Sequence, residues 1–366
     1  MDTTDTQAHT DGTATPGGTA QPDGIDVEAV TAYLAEHVPS LEPPLQWVRL
    51  PGGHSNLTYR IVGSSGREAV IRRPPQGELL PKAHDMWREY RIIAGLHPTG
   101  FPVPEPLAFC EDESVTGRPF YVMSVVPGKA IYTREEVEAY LDLDARRTLG
   151  FSFMEALAKL HSLDPDDIGL GELGRKENYV ARQMSSWYRS WTSQAEGAKH
   201  DDPVIHQLYE NLSAAIPEQG PARVVHGDCG LHNCMVMPDG TVSALLDWEI
   251  GTLGDPLADL AYALNSWARP SDAVANKEDA PTMADGFAER DELAAHYAER
   301  SGRDLSDLAF YETYNHFKTA CIIHGVYARY MMGQKSTEGV DVEGLRERML
   351  RCVELASASA KDADLL

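Results

Sequence analysis

The chain has no run of about 18 uninterrupted apolar residues, the length a membrane-spanning helix needs, so a transmembrane helix is excluded and no membrane partner is expected. It is also short of positive charge. Lys and Arg total 32 against 56 Asp and Glu, a net charge of −24. Nucleic-acid binding rests on cationic side chains that displace counterions, so no nucleic-acid partner is expected, and the same field opposes an anionic lipid surface. Cysteine is scarce: Cys110, Cys229, Cys234, Cys321 and Cys352 are odd in number and scattered over 366 residues, which excludes a disulfide framework. The opening stretch MDTTDTQAHTDGTATPGGTAQPDG lacks the basic and apolar regions of a secretory signal. Residues 1–25 are therefore expected to form a disordered tail, and the protein to be soluble and cytoplasmic. No internal repeat is present.

What is there is an ordinary globular composition, 42% apolar and 24% charged, enough for one large domain or two lobes. Residues 27–39 carry helical spacing. Short strands punctuated by turns follow, at 47–50, 57–62 and 68–72, with the Gly-rich segments Pro51–Asn56 and Gly63–Gly66 between them. A helix is predicted over 84–96 and a buried strand over 120–126, stopped by Pro127-Gly128. From residue 133 the spacing turns helical, at 133–141, 145–162, 177–195, 203–216, 256–267, 286–300, 305–330 and 341–360. Strand-like pieces interrupt it at 222–225 and 241–246. The pattern predicts a sheet-rich N-terminal lobe over 26–126, a linker near 124–130 and a helical C-terminal lobe over 127–366.

The densest chemistry is VHGDCGLHNC, Val225 to Cys234. His226, Cys229, His232 and Cys234 are all acceptable zinc ligands, but four ligands within nine residues leave the chain little room to wrap an ion. Cys229 with His232 is a possible thiol nucleophile and base. The third reading takes Asp228, Asn233 five positions on, and Asp247 after a short strand, in ALLDWE. Their order and spacing follow the protein-kinase pattern H-R-D-x-x-x-x-N then D-F-G, with Gly227 in place of Arg and Trp248-Glu249 in place of Phe-Gly. Phosphoryl transfer needs one carboxylate to orient the acceptor hydroxyl, and oxygen ligands to hold Mg2+ on the phosphates. Asp228 suits the first task; Asn233 and Asp247 suit the second.

The motifs GGHSNLTY (from Gly52), VIRRPP (from Val70), AHDMWREY (from Ala83), FPVPEPL (from Phe101), FYVMSVVPG (from Phe120), HGDCGLHN (from His226) and LDWEIGTLGDPLADLAYAL (from Leu246) together resemble the phosphotransferase enzyme family of aminoglycoside phosphotransferases, macrolide kinases and choline kinases. Within it, the resemblance is to the branch of kinase domains joined to acyl-CoA dehydrogenases. The resemblance implies an α+β, protein-kinase-like bilobal fold with a small antiparallel sheet in the N-lobe. It implies a small-molecule kinase, an enzyme using ATP or GTP with Mg2+ and a hydroxyl acceptor. Residue by residue, it places the backbone amides near Ser55 and Asn56 at the phosphates and puts Arg72 where kinases carry a phosphate-binding lysine. Glu89 becomes the partner of Arg72, and Met123 the back of the adenine pocket. The Ser124 carbonyl and Val126 amide would meet the base edge. Arg73, one residue beyond Arg72, is expected on the opposite, solvated face. Asp255 is expected to cap a helix begun by Pro256, and Asp259 to steady the catalytic loop. For the acceptor, the branch implies a hydroxyacyl-CoA or hydroxy acid, whereas the acidic overall charge suits a cationic aminoglycoside or a macrolide. A catalytically inactive nucleotide-binding module is a further alternative.

Overall fold

The computed structural model describes residues 22–50, 56–75, 85–270, 272, 279–337 and 339–366. In chain order the elements are α1 (Val27–His37), β1 (Gln46–Arg49), β2 (Leu57–Val62), β3 (Glu68–Arg73), α2 (Met86–Leu96), β4 (Pro106–Cys110), α3 (Glu113–Thr116) and β5 (Phe120–Ser124). There follow α4 (Arg134–Tyr140), α5 (Leu143–Ser162), α6 (Tyr179–Ala198), α7 (Pro203–Ala214), β6 (Arg223–Val225), β7 (Cys234–Val236), β8 (Val242–Leu245), β9 (Thr252–Gly254), α8 (Pro256–Asn265), α9 (Arg290–Ser301), α10 (Leu308–Met331) and α11 (Val342–Asp362). They form two compact units. One runs to Trp87 and takes in Pro106–Val125; the other comprises Arg88–Glu105 and Val126–Leu366.

The first unit is a five-stranded antiparallel sheet in the order β1-β2-β3-β5-β4. Strand alternation assigns its faces. Tyr59 and Ile61, Ala69 and Ile71, Ala108 and Cys110, and Phe120 and Val122 share one buried cluster with Val30, Leu34 and Val38 of α1. That helix is started by Asp26, whose carboxylate accepts from the Ala29 amide at 3.0 Å. The opposite face carries Thr58, Val70, Arg72, Tyr121 and Met123, with Arg72 opposite both Thr58 and Tyr121 and Val70 opposite Met123. Arg73 corrects an expectation. It is 1% exposed rather than solvated, because it shares the parity of Ala69 and Ile71 and so enters the core face. Its Nε donates to the Pro74 carbonyl at 3.2 Å, and desolvation lowers its pKa.

In the second unit α10 packs against α6, α8 and α11, and α5 against α9. Trp191, Tyr314, Phe317 and Met349, from α6, α10 and α11, share one buried cluster. Two small antiparallel ladders, β6 with β9 and β7 with β8, sit among the helices. The predicted helices all form. The strands β4, β7 and β9 and the single-turn α3 were not anticipated; three-residue strands such as β7 and β9 are too short to show alternation.

Residues 88–105 cluster with the helices, which interrupts the single lobe expected over 26–126. Packing of Phe101 on Trp248 and a set of hydrogen bonds tie this segment to the second unit. Arg88 Nε donates to the Gly251 carbonyl at 2.8 Å, the Leu245 amide to the Pro102 carbonyl at 2.8 Å, and Lys159 Nζ to the Gly100 carbonyl at 2.6 Å.

Candidate active site

The short strand β6 leads into a loop that is fixed from below. Both oxygens of the Asp259 carboxylate accept backbone amides, from His226 at 2.5 Å and Gly227 at 2.7 Å. Asp259 lies in the first turn of α8, whose start is set by Asp255 accepting from the Leu257 amide at 3.0 Å and by Pro256 behind it. Gly227 has φ +83°, a conformation open to glycine and strained for other residues, which accounts for a glycine where kinases carry arginine. Lys318, buried on α10, donates from Nζ to the Gly227 carbonyl at 2.9 Å and lies 4.7 Å from the Tyr262 ring centroid. His226 is fully buried, its Nε2 2.8 Å from the Leu246 carbonyl and its ring against Trp248.

These contacts aim Asp228. Its side chain keeps 38% exposure, Oδ1 accepts from the Tyr262 hydroxyl at 2.5 Å, and Oδ2 lies 3.4 Å from His232 Nε2. Burial alone would raise its pKa; His232, the Tyr262 hydroxyl and the nearby His226 outweigh burial and hold the carboxyl well below the usual range. Tyr262 is shifted the other way, by burial and by the Asp228 charge, and so stays a donor. Beneath the loop, burial holds His161 neutral, while hydrogen bonds outweigh burial at Asp259 and keep it ionised.

Asn233 follows in a single 3-10 turn and is 9% exposed. Its Nδ2 donates to the Asp228 carbonyl at 2.9 Å, which leaves Oδ1 for another partner. Asn233 and Asp247 flank the β7–β8 hairpin, and the Leu246 amide donates to the Asn233 carbonyl at 2.8 Å, so the two residues are neighbours across it. Asp247 adopts φ +65°, ψ +59°, a left-handed backbone that costs a non-glycine residue about 1–2 kcal/mol and recurs at functional sites. At the far end of the hairpin, Gly240 has φ +86°, and a Cβ there would lie 2.0 Å from the Ala145 carbonyl of α5.

The thiol and zinc readings of this loop find no support. Burial pushes the Cys229 and Cys234 thiols up in pKa, away from the thiolate both readings need. Among the described residues no group of three or more His, Cys, Asp or Glu is disposed to hold a metal. All five cysteines are buried and free.

Of the other predicted site residues, Arg72 and Met123 share the face of the sheet away from α1, and Ser124 ends β5 opposite Ala69. Asn56 is 2% exposed at the start of β2. Glu89 is buried on α2 and belongs, like Val126, to the second unit. Ser55 lies outside the described residues. Sequence reasoning missed Tyr262 and Lys318. A lysine within the apolar run of α10 was the available signal for the second.

A model of the phosphotransferase enzyme family matches residues 46–310. Acyl-CoA dehydrogenase family member 11 of Rattus norvegicus is 35% identical over 325 residues, which cover 86% of this chain and 41% of that protein. The chain thus spans about two fifths of the length of this curated relative. Among solved structures, a Ralstonia eutropha protein described as an aminoglycoside phosphotransferase superposes with a TM-score of 0.76 at 29% identity, over 91% of this chain and 98% of that one. Spectinomycin phosphotransferase, solved with ADP and spectinomycin, shares the fold at a TM-score of 0.58 and 15% identity, over 94% of this chain and 100% of its own.

Proposed function

This chain belongs to the phosphotransferase enzyme family, and from that premise we propose that it transfers the terminal phosphoryl group of ATP or GTP to a hydroxyl of a hydroxyacyl-CoA or related hydroxy acid. The observation that carries the reading is the Asp228 carboxylate: ionised, partly exposed, and held by the Tyr262 hydroxyl at 2.5 Å on a loop pinned by Asp259 and Lys318.

In the proposed step the acceptor hydroxyl donates its hydrogen bond to Asp228, which orients the oxygen toward the γ-phosphorus. The new O–P bond forms as the bond from that phosphorus to the β,γ-bridging oxygen breaks. The hydroxyl proton passes to Asp228, and the nucleoside diphosphate leaves. A carboxylate held at low pKa is a weak ground-state base, so its chief work is orientation, with the proton arriving late. Tyr262 stays protonated and prevents the carboxylate from rotating away. Asn233 Oδ1 and the Asp247 carboxylate form an all-oxygen donor pair suited to magnesium, which when bound would draw negative charge from the phosphate oxygens. Arg72 would contact the α- and β-phosphates through its guanidinium, and the Ser124 and Val126 backbone would meet the base.

The acid acceptor is supported by relatives named as acyl-CoA dehydrogenase family members. An antibiotic acceptor is the second reading, favoured by the named structural neighbours and the acidic net charge. The test is nucleotide-dependent, magnesium-dependent phosphorylation across hydroxyacyl-CoAs, hydroxy acids, aminoglycosides and macrolides. Full turnover in a folded Asp228→Ala variant would refute the assignment.

A further inference from the structure

Beside Asp228 the second unit forms an open cavity of about 210 Å3. Of the three side chains that touch the Asp228 carboxylate, His232, Asn233 and Tyr262, the first and last line it, so a hydroxyl presented to Asp228 on that side extends into this space. Ile131, Leu231 and Leu355 give it an apolar wall. The chain carries 56 acidic residues, yet among the described residues no Asp or Glu lines this cavity. Among the described residues its one permanent charge is Arg348 of α11, solvent-exposed at the edge of the space and without an ion pair or hydrogen bond to the described residues. His316 also lines it, and burial pushes that imidazole down to about 4, so it is neutral at pH 7.

A polycationic acceptor placed here would lose water around its ammonium groups and meet a guanidinium in place of carboxylates. Like charges repel even across partly screened space, so the guanidinium works against such an acceptor. An acceptor with an apolar body and one anionic group meets the complementary surface: the hydroxyl at Asp228, the chain against the leucines, the anion at the guanidinium.

Building on the acceptor reading above, we propose that Arg348 is the residue that selects the acceptor, by pairing with an anionic group of the substrate. The anion is either the carboxylate of a free hydroxy acid or a phosphate of its CoA ester; both are oxyanions that a guanidinium holds bidentately.

The test uses the full chain with four acceptors differing mainly in charge: 3-hydroxybutyrate, its methyl ester, its CoA thioester and the cationic 4-amino-2-butanol. Binding is measured by calorimetry with a non-hydrolysable ATP analogue and magnesium, and kcat and KM are measured separately with ATP. The expected result is that Arg348→Ala weakens an anionic acceptor at least about tenfold relative to the uncharged ester, that Arg348→Lys restores most of the loss, and that Arg348→Glu turns the preference toward the amine. Loss on the free acid identifies its carboxylate as the anion; loss on the thioester alone identifies a CoA phosphate. An equal effect on acid, thioester and ester, or none on any of them, overturns the proposal, as does wild-type preference for the amine. Because binding is read without turnover, Arg348-dependent binding of an anion by a protein that transfers no phosphate would sink the phosphotransferase reading and leave this one standing.

Discussion

The catalytic loop and the strand β3 each present one residue central to the proposed chemistry, Asp228 and Arg72, and they hold it by opposite means. Arg72 is placed by a backbone ladder whose far side is an apolar cluster under α1. Asp228 is placed by buried polar groups: a carboxylate gripping two amides, a lysine on a carbonyl and a tyrosine on the acid itself. Apolar packing is tolerant of substitution by a similar volume, whereas a buried polar network loses its geometry when one member is removed. Damage to the strand should therefore show first as lost stability, and damage to the loop first as lost activity.

The largest effect expected is for Asp228→Ala, a fall in kcat of about 100- to 10,000-fold with melting temperature nearly unchanged, measured by coupled nucleotide turnover and calorimetry. Asp259→Asn sharpens the contrast. It removes the charge that binds two amides and puts an amide NH2 where a carboxylate oxygen accepted, so we expect activity to fall at least about tenfold and stability to fall by about 1–3 kcal/mol in urea unfolding. Ile71→Ala tests the other side: about 2–5 kcal/mol of lost stability from cavity formation, with kcat conserved where the protein is folded. If kcat fell as steeply for Ile71→Ala as for Asp259→Asn, the contrast would be broken.

A smaller effect is expected from pH. His316 titrates at about 4 in the folded chain and near 6.5 when unfolded, so the unfolded chain takes up the proton first as pH falls. Its contribution is therefore complete above pH 6.5 and declines between about 6.5 and 4, by on the order of 3 kcal/mol. His316→Gln should flatten the slope of unfolding free energy against pH in that window, provided that Arg290 and Asp272, the charged neighbours of His316, are left in place.

Much of this was legible in the sequence, and the reason lies in spacing. Asp228, Asn233 and Asp247 fall within twenty residues, and the Asp239-Gly240 turn between the last two marks a hairpin that folds the chain back and brings them together. The strands and helices that flank them follow local periods of 2 and 3.6, which the order of apolar residues reveals directly. Tyr262 lies 34 residues from Asp228, and Lys318 lies 91 from Gly227. Pairings of that separation are decided by how α8 and α10 pack, and no local pattern announces them. Arg73 was misjudged for a different reason: strand alternation correctly put it on the face opposite Arg72, but that face was taken for the solvated one when it is the face packed under α1.

Hairpin tips are the usual places to graft a tag or a guest loop, because they normally project into water. The tip at Gly240 offers no such freedom. With the Ala145 carbonyl 2.0 Å from where its first side-chain atom would stand, even one added methyl group forces the tip or α5 to give way, at the end of the same hairpin that Asn233 and Asp247 flank. Anyone re-engineering this protein should leave that turn intact.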